Sequence, residues 1–223
     1  MCKPPEIDRK LGRMMLETLG LTWRSAAIIV AHPDDEVIWC GGLLVQNPQW
    51  DWTIMSLCRG KDNDRRRKFD RVCDLLQAQG VISDLDDSNR LKLIDPVIEV
   101  GRRIRQYLCD IDFGICITHG ENGEYGHERH RQVHAEVLRL VCNGVLRCHE
   151  MWTFAYACDA KTGACKARHD ADIRIELTAE ELAEKKRILR DEYGYAEDSF
   201  EVKACVSPEG FHRHSITDQG KHR

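Results

Sequence analysis

The residues best suited to chemistry form the run His32, Pro33, Asp34, Asp35 and Glu36, in which an imidazole precedes three consecutive carboxylates. Neighbouring acids repel one another unless solvent or a cation neutralises them. Imidazole nitrogen and carboxylate oxygen both bind zinc, and a catalytic zinc site needs only three protein ligands. The run therefore predicts that His32 and Asp35 bind a metal ion and that Asp34 is a base beside it. The simpler alternative is a helix N-terminus, which favours acids through the helix dipole.

Four of the ten histidines lie close together further along the chain. The spacing of His127, His130 and His134 puts them on one face of a helix. His130 is the candidate third metal ligand, and His127 is expected beside the metal without binding it. His127, if protonated, and Tyr125 would stabilise the oxyanion of a tetrahedral intermediate. We expect His119 to support the site, and His134 to support it or to lie at the surface.

This set of residues predicts hydrolysis of an amide or an ester. A cation held by His32, Asp35 and His130 keeps an open position for water, and zinc lowers the pKa of such a water to about 7 in favourable sites. Lewis acid, nucleophilic water, base and oxyanion donor are then all present. The expected cofactor is Zn²⁺, with Fe²⁺ as the alternative.

Two predicted strands bring the two groups of residues together. Residues 26–30 are all apolar, which predicts a buried strand of a parallel sheet that stops at Pro33, and residues 37–45 predict a helix. His32 then lies at the carboxyl end of a strand, where open α/β sheets bind their ligands. Asp112–Thr118 predicts a second buried strand, which runs into the glycine-rich loop before His130.

Strands that alternate with helices predict a Rossmann-like three-layer α/β/α sandwich with a mostly parallel sheet. We expect one domain over residues 1–223, with an N-terminal arm at 1–24. The C-terminal tail, residues 194–223, is expected to fold over the site or to be partly loose. The other predicted elements are strands at 52–58, 81–87, 151–157 and 173–177 and helices at 7–19, 64–79 (capped by Gly80), 94–108, 128–141 and 179–193.

Composition excludes several functional classes. The chain has 223 residues, 31% of them charged, and a net charge of −4, so nothing requires nucleic acid or an anionic membrane as a partner. No apolar run approaches about 18 residues, and the polar first residues lack a signal peptide, so we expect a cytoplasmic protein without membrane insertion. Eleven cysteines without a C-x-x-C pair predict free, mostly buried thiols. Cys158 and Cys165 could pair or bind a metal, but plain thiols are the expected state.

These motifs resemble the PIG-L/LmbE-like family of zinc-dependent N-deacetylases over roughly residues 24–157. The end segment at 193–200 is similar to a short bacterial or archaeal branch of that family. The resemblance rests on these stretches: AHPDDE at 31–36, Gly41-Gly42, THG at 118–120, GEYGH at 123–127, and His130.

The resemblance implies a Rossmann-like fold and removal of an N-acetyl group from a small molecule, usually one that contains N-acetylglucosamine. Arg59 would touch hydroxyl, phosphate or carboxylate groups of the substrate, and Asp87 or Asp86 would orient the His127 side chain. Glu128-Arg129 replaces a Pro-Asp pair that is frequent in the family, so the sugar specificity of other members does not carry over. By position the resemblance assigns zinc ligands at His32, Asp35 and His130, a general base and later acid at Asp34, a transition-state stabiliser at His127 and a mobile contributor at Tyr125.

There are two alternatives to an N-deacetylase function. A metal-dependent esterase or deacylase with another acyl group would use the same site and differ only in the size of its acyl pocket. A nucleotide-binding module is disfavoured, because G-x-G-x-x-G is absent after the first strand and three acids there would repel pyrophosphate. The oligomeric state, homo-oligomer included, is left open.

Overall fold

The structure is a computed structural model that describes residues 23–87, 96–159, 162–214 and 216. The helix expected at 7–19 lies outside these residues. None of the helices in the described part of the chain has both the length and the apolar character needed to cross a bilayer.

A seven-stranded sheet in the order β3-β2-β1-β4-β5-β9-β8 forms the middle layer. The first five strands of that order are parallel, and β9 pairs antiparallel with both β5 and β8. A mostly parallel, Rossmann-like sheet is thereby confirmed. Its strands are β1 (Ser25–Val30), β2 (Asp51–Cys58), β3 (Gln79–Leu85), β4 (Asp112–Thr118), β5 (Arg147–Phe154), β8 (Ile173–Ile175) and β9 (Glu209–His214), and β6 (Tyr156–Cys158) and β7 (Cys165–Ala167) form a separate hairpin.

Helices cover both faces of the sheet, which explains why β1 is apolar at every position after Ser25. Ile28 packs into one hydrophobic core with α1, α2, α6 and α7, and Ile29 packs into a second core with α3 and α5. Because successive strand residues point to opposite faces, a central strand between two helical layers needs apolar residues at every position. The helices are α1 (Asp35–Gln46), α2 (Asn63–Leu75), α3 (Pro96–Leu108), the single turn α4 (Gly123–Gly126), α5 (Glu128–Cys142), α6 (Ala179–Arg187, continued by the π-helical turn Ile188–Glu192) and α7 (Phe200–Ala204).

Three local expectations were wrong. Helix α2 ends at Leu75, and Gln77, with φ 55°, makes the turn into β3, so Gly80 lies inside a strand and caps no helix. No strand was predicted between residues 157 and 173, yet β7 pairs there with β6. Cys158 and Cys165 were expected to be free thiols but form a disulfide, because the antiparallel hairpin sets them directly opposite each other with their Cα atoms 4.1 Å apart.

Strand β9, which lies within the expected C-terminal tail, belongs to the core. A buried ion pair between Lys185 and Glu209 holds this strand against α1. Helix α1 is kinked at Cys40, and the backbone N–H groups of Gly42 and Leu43 donate to the two carboxylate oxygens of Glu209, each at 2.8 Å. Lys185 Nζ donates to Glu209 Oε1 at 2.6 Å, and both side chains are fully buried. Glu209 thus joins β9 and α6 to the helix that begins at Asp35.

Replacement of Lys185 by methionine is expected to lower the free energy of unfolding by about 3–5 kcal/mol, since it leaves the Glu209 carboxylate buried without its partner charge. Urea unfolding followed by circular dichroism measures the loss. The matched control is Lys186→Met on the same helix, which lies nearer the surface and should change the free energy by less than about 0.5 kcal/mol. Equal effects of the two substitutions would contradict a stabilising role for the buried pair.

Candidate active site

The two groups of candidate residues meet where the strand order changes direction. Strands β2 and β3 follow β1 on one of its edges. The chain then returns to form β4 on the other edge of β1. His32 and Asp35 follow the carboxyl end of β1, and His119 and His130 follow the carboxyl end of the adjacent parallel strand β4. Such a switch point is the usual ligand-binding crevice of an open α/β sheet.

Three ligand-type atoms form a nearly equilateral triangle at this crevice. His32 Nδ1 lies 3.3 Å from Asp35 Oδ2, His130 Nε2 lies 3.4 Å from the same oxygen, and the two ring nitrogens are 3.4 Å apart. Atoms bound at about 2.0–2.1 Å to a tetrahedral zinc ion lie about 3.4 Å from one another. The spacing and the chemistry of this donor set therefore fit a single zinc ion.

Outer partners orient all three side chains. His130 Nδ1 donates to Glu124 Oε2 at 2.5 Å, so the lone pair of Nε2 points into the triangle. His32 Nε2 lies 3.1 Å from Asp87 Oδ1, an ion-pair contact without hydrogen-bond alignment. Asp35 Oδ1 accepts from Trp39 Nε1 at 3.0 Å, and Asp35 Oδ2 accepts from the backbone N–H of His32 at 2.9 Å.

Glu124 connects both halves of the histidine cluster, a role that the sequence analysis missed. Its carboxylate also accepts from His119 Nδ1 at 3.0 Å and from the backbone N–H of Gly120 at 2.7 Å. Although burial acts in the opposite direction, His119 and His130, which both donate hydrogen bonds to the carboxylate, lower the pKa of Glu124 to about 2, so it is ionised at neutral pH. The sequence feature that could have identified Glu124 is its place inside the loop motif GEYGH at residues 123–127.

His119 and His134 lie behind the triangle. His119 Nε2 accepts from the backbone N–H of Ala31 at 2.9 Å, so that nitrogen is already occupied, and its ring stacks on His130 with centroids 3.8 Å apart. His134 is buried and its Nδ1 donates to the carbonyl oxygen of His119 at 2.9 Å. Both histidines therefore position the end of β4 and the ring of His130.

Asp34 borders the cleft and is held by two side chains from outside its own motif. Its Oδ2 accepts a hydrogen bond from Tyr195 Oη and another, at 3.3 Å, from Arg65 Nη1, which also donates to Tyr195 Oη at 2.7 Å. Burial and the negative charge of Asp35 raise the pKa of Asp34 well above its usual range. Neither Tyr195 nor Arg65 was predicted from the sequence as a site residue, although Tyr195 lies in the end segment at 193–200 that resembles the family.

His127 and Tyr125 line the same cleft. The ring of His127 stands edge-on to that of His32 at 5.0 Å and lies 4.4 Å from that of His130, and its buried Nδ1 has no hydrogen-bond partner among the residues that the structure describes. Burial and the neighbouring His130 lower the pKa of His127 to about 4, so the ring is neutral at neutral pH rather than protonated. His32, His127 and His130 also form a competing candidate ligand set, with ligand atoms within 4.8 Å of one another.

Asp87 and Arg59 also lie beside His32. The ion-pair contacts of Asp87 are with His32, with Arg59 at 3.8 Å and with Arg129 at 4.0 Å, so the carboxylate expected to orient His127 instead faces the His32 ring. Arg129 Nη2 also donates to the carbonyl oxygen of Asp86 at 2.6 Å. Arg59 is half exposed and lines the cleft, as a group that touches substrate must.

The cleft has a volume of about 190 Å³ and is partly open to solvent. Among the described residues, four that are not glycine have a positive φ, and Asp34 (125°), Arg59 (71°) and Glu124 (58°) of these lie at the site. Strained backbone tends to accumulate where function requires a fixed geometry. Besides the residues predicted from sequence, Ile38, Arg65, Phe200 and Glu201 line the cleft.

Comparisons with known proteins agree with this arrangement. A family model described as "PIG-L: GlcNAc-PI de-N-acetylase" matches residues 27–141. The curated "Uncharacterized protein L374" of Acanthamoeba polyphaga mimivirus is 28% identical over 120 residues, which cover 48% of this chain and 53% of that protein. The matched region thus spans about half the length of this relative.

Solved structures share the fold at low sequence identity. The N,N'-diacetylchitobiose deacetylase from Pyrococcus horikoshii is 12% identical with a TM-score of 0.67, and the match covers 98% of this chain and 96% of that one. A deacetylase of the teicoplanin biosynthetic pathway is 14% identical with a TM-score of 0.62, covering 87% and 99%. GalB, the 4-carboxy-2-hydroxymuconate hydratase of Pseudomonas putida, is 14% identical with a TM-score of 0.58, covering 85% and 95%. At this identity the likeness shows the fold alone, and the fold is shared by proteins named for different reactions.

Proposed function

Because the chain belongs to the PIG-L family of GlcNAc-PI de-N-acetylases, we propose that it is a metal-dependent hydrolase that removes an N-acetyl group from a small acetylated amino sugar. The observation that carries this proposal is the triangle of His32 Nδ1, Asp35 Oδ2 and His130 Nε2, with a carboxylate behind each imidazole. Structural support of this kind is typical of histidines that bind metal.

These three side chains would hold the ion, with Zn²⁺ as the proposed cofactor and Fe²⁺ as the alternative. When bound, zinc supplies a Lewis acid that polarises the amide carbonyl and makes water a nucleophile at neutral pH. The cleft around the triangle admits a small molecule, and its lining includes both Asp34 and His127.

Asp34 is the proposed general base, since it follows His32 and Pro33 directly and its carboxylate faces the cleft. It takes a proton from the attacking water as the new C–O bond forms at the acetyl carbon. It then gives that proton to the nitrogen as the C–N bond breaks, which yields acetate and a free amine. General acid–base catalysis of this kind contributes about 10²–10⁴ in rate.

Tyr195 and Arg65 are the proposed positioning residues for Asp34. Tyr195→Phe removes one hydrogen bond to the carboxylate, and a bond to a charged group is worth about 1.5–3 kcal/mol. We expect kcat to fall about 10- to 100-fold, with KM and zinc content unchanged. Tyr107→Phe, on the exposed side of α3, is the control. A Tyr195→Phe enzyme with unchanged kcat would remove Tyr195 from the mechanism.

His127 is the proposed hydrogen-bond donor to the oxyanion, with Tyr125 as a second donor. His127→Ala is expected to lower kcat about 10²- to 10³-fold while zinc binding stays at one ion per chain. Zinc content is measured by atomic emission and kcat by acetate release, with His149→Ala as the control, since His149 stacks on Trp23 outside the cleft. Loss of zinc in His127→Ala would instead favour the competing ligand set of His32, His127 and His130.

Acetate release tests the proposed function. The purified chain is loaded with one equivalent of zinc or ferrous iron and incubated with N-acetylglucosamine, N,N'-diacetylchitobiose and N-acetylglucosamine linked to polar aglycones. Release of acetate in equal amount to new primary amine supports an N-deacetylase. Binding of zinc at the triangle without acetate release from any of these amides would contradict it.

A further inference from the structure

The cleft has two chemically different halves. Arg59 and Asp87 form a charged pair beside His32, whereas Ile38, Tyr125 and Phe200 give the other half an apolar wall, with the Glu201 carboxylate next to Phe200. The three apolar side chains belong to one continuous core, because Tyr125 and Phe200 pack against the cluster that contains Ile38. An amide substrate with a polar amine part and an apolar acyl part matches this division.

The apolar wall begins beside the proposed ligands. Ile38 lies one helical turn after Asp34 and Asp35 on α1, so it shares their face. The ring of Tyr125 is centred 5.5 Å from that of His130 and 5.6 Å from that of His127. A group attached to a carbonyl carbon at the triangle therefore meets this wall within the length of a few bonds.

Phe200 forms the outer part of the wall and is held in place from two sides. Its ring stands edge-on to Tyr125 with centroids 4.8 Å apart. Gly163, just before β7, also lies close to this ring, since a methyl group added at Gly163 would come within 3.5 Å of Phe200 Cδ2. Ser199 caps the helix α7 that carries Phe200, accepting from the backbone N–H of Val202 at 3.3 Å.

We infer that Phe200 is a specificity-determining residue that closes the acyl half of the cleft and limits the acyl group to about the size of acetyl. This inference rests on the proposed amide hydrolysis and goes beyond it, because it names the side chain that separates an N-deacetylase from a deacylase of longer chains. The cleft volume of about 190 Å³ is shared between the acyl group and the rest of the substrate, and Phe200 lines it.

The test compares glucosamine carrying N-acetyl, N-propionyl and N-butyryl groups, with kcat/KM measured from amine release by the zinc-loaded protein. A methylene in a closed apolar pocket changes kcat/KM by about 10- to 200-fold. The wild type should therefore discriminate strongly against butyryl, and Phe200→Ala should raise the butyryl-to-acetyl ratio of kcat/KM by about 10- to 100-fold. Phe200→Leu, which preserves more of the packing, should raise it by less, and Tyr107→Ala on the exposed face of α3 should leave it unchanged.

Thermal unfolding verifies that each variant is folded, and Phe200→Leu carries the test if Phe200→Ala is not. A folded Phe200 variant that hydrolyses the acetyl substrate with the wild-type acyl preference would overturn the inference and leave the proposed function standing. A change in KM equal for all three acyl groups would also overturn it, because the wall would then contact the sugar. Failure of the wild type to hydrolyse any of the three amides, with zinc bound, counts instead against the proposed function.

Discussion

Replacement of His130 by alanine is expected to abolish stoichiometric zinc binding and, with it, all acetate release above background. Its Nε2 is one of three atoms spaced 3.3–3.4 Å apart, and its Nδ1 is held by a buried, ionised Glu124. Loss of an outer partner of a metal ligand typically costs about 10- to 100-fold in metal affinity, so loss of the ligand itself should cost more.

The measurement is zinc content after dialysis against a chelator of known affinity. His149→Ala is the control, because His149 stacks on Trp23 outside the cleft. It should retain one zinc ion per chain. A His130→Ala protein that kept its zinc would show that other residues hold the ion.

Asp34→Asn is expected to lower kcat about 10³-fold and to leave both zinc content and KM nearly unchanged. The amide has the size of the carboxylate and can still accept from Tyr195, but it cannot take a proton from water, and general base catalysis is worth about 10²–10⁴ in rate. Asp51→Asn is the control, since Asp51 is exposed at the opposite end of β2.

Two results would contradict the assignment of Asp34. Full activity of Asp34→Asn would mean that the base is another group, and loss of zinc would mean that Asp34 rather than Asp35 completes the triangle. Single-turnover kinetics separate these outcomes from a defect in product release, because they report the chemical step alone.

The sequence was sufficient to predict the convergence of the two motifs, because the information was local. The apolar run 26–30 in β1 and the mostly apolar residues 113–117 in β4 indicated buried parallel strands, and parallel neighbours end at the same edge of a sheet. The bounds of β4, Asp112–Thr118, were predicted as the structure has them. His32 and His130 are 98 residues apart, yet each follows such a strand end, so the structure brings them together.

Contacts made by the C-terminal segment could not be predicted in the same way. Tyr195 reaches Asp34 across 161 residues, and nothing in the polar stretch around it has a helical or strand period. Strand β9 was missed for a related reason. Its sequence, EGFHRH, contains a single large apolar residue, Phe211, and its buried Glu209 is tolerated only because Lys185 and two backbone N–H groups from α1 surround it. Tertiary partners, rather than local propensity, decide such a strand.

Zinc-edge anomalous diffraction from crystals of the zinc-loaded protein tests the central claim most directly. We predict one strong peak per chain, within about 2.0–2.2 Å of His32 Nδ1, Asp35 Oδ2 and His130 Nε2. A peak bound by His127 in place of Asp35, or no peak in this cleft at saturating zinc, would contradict the account.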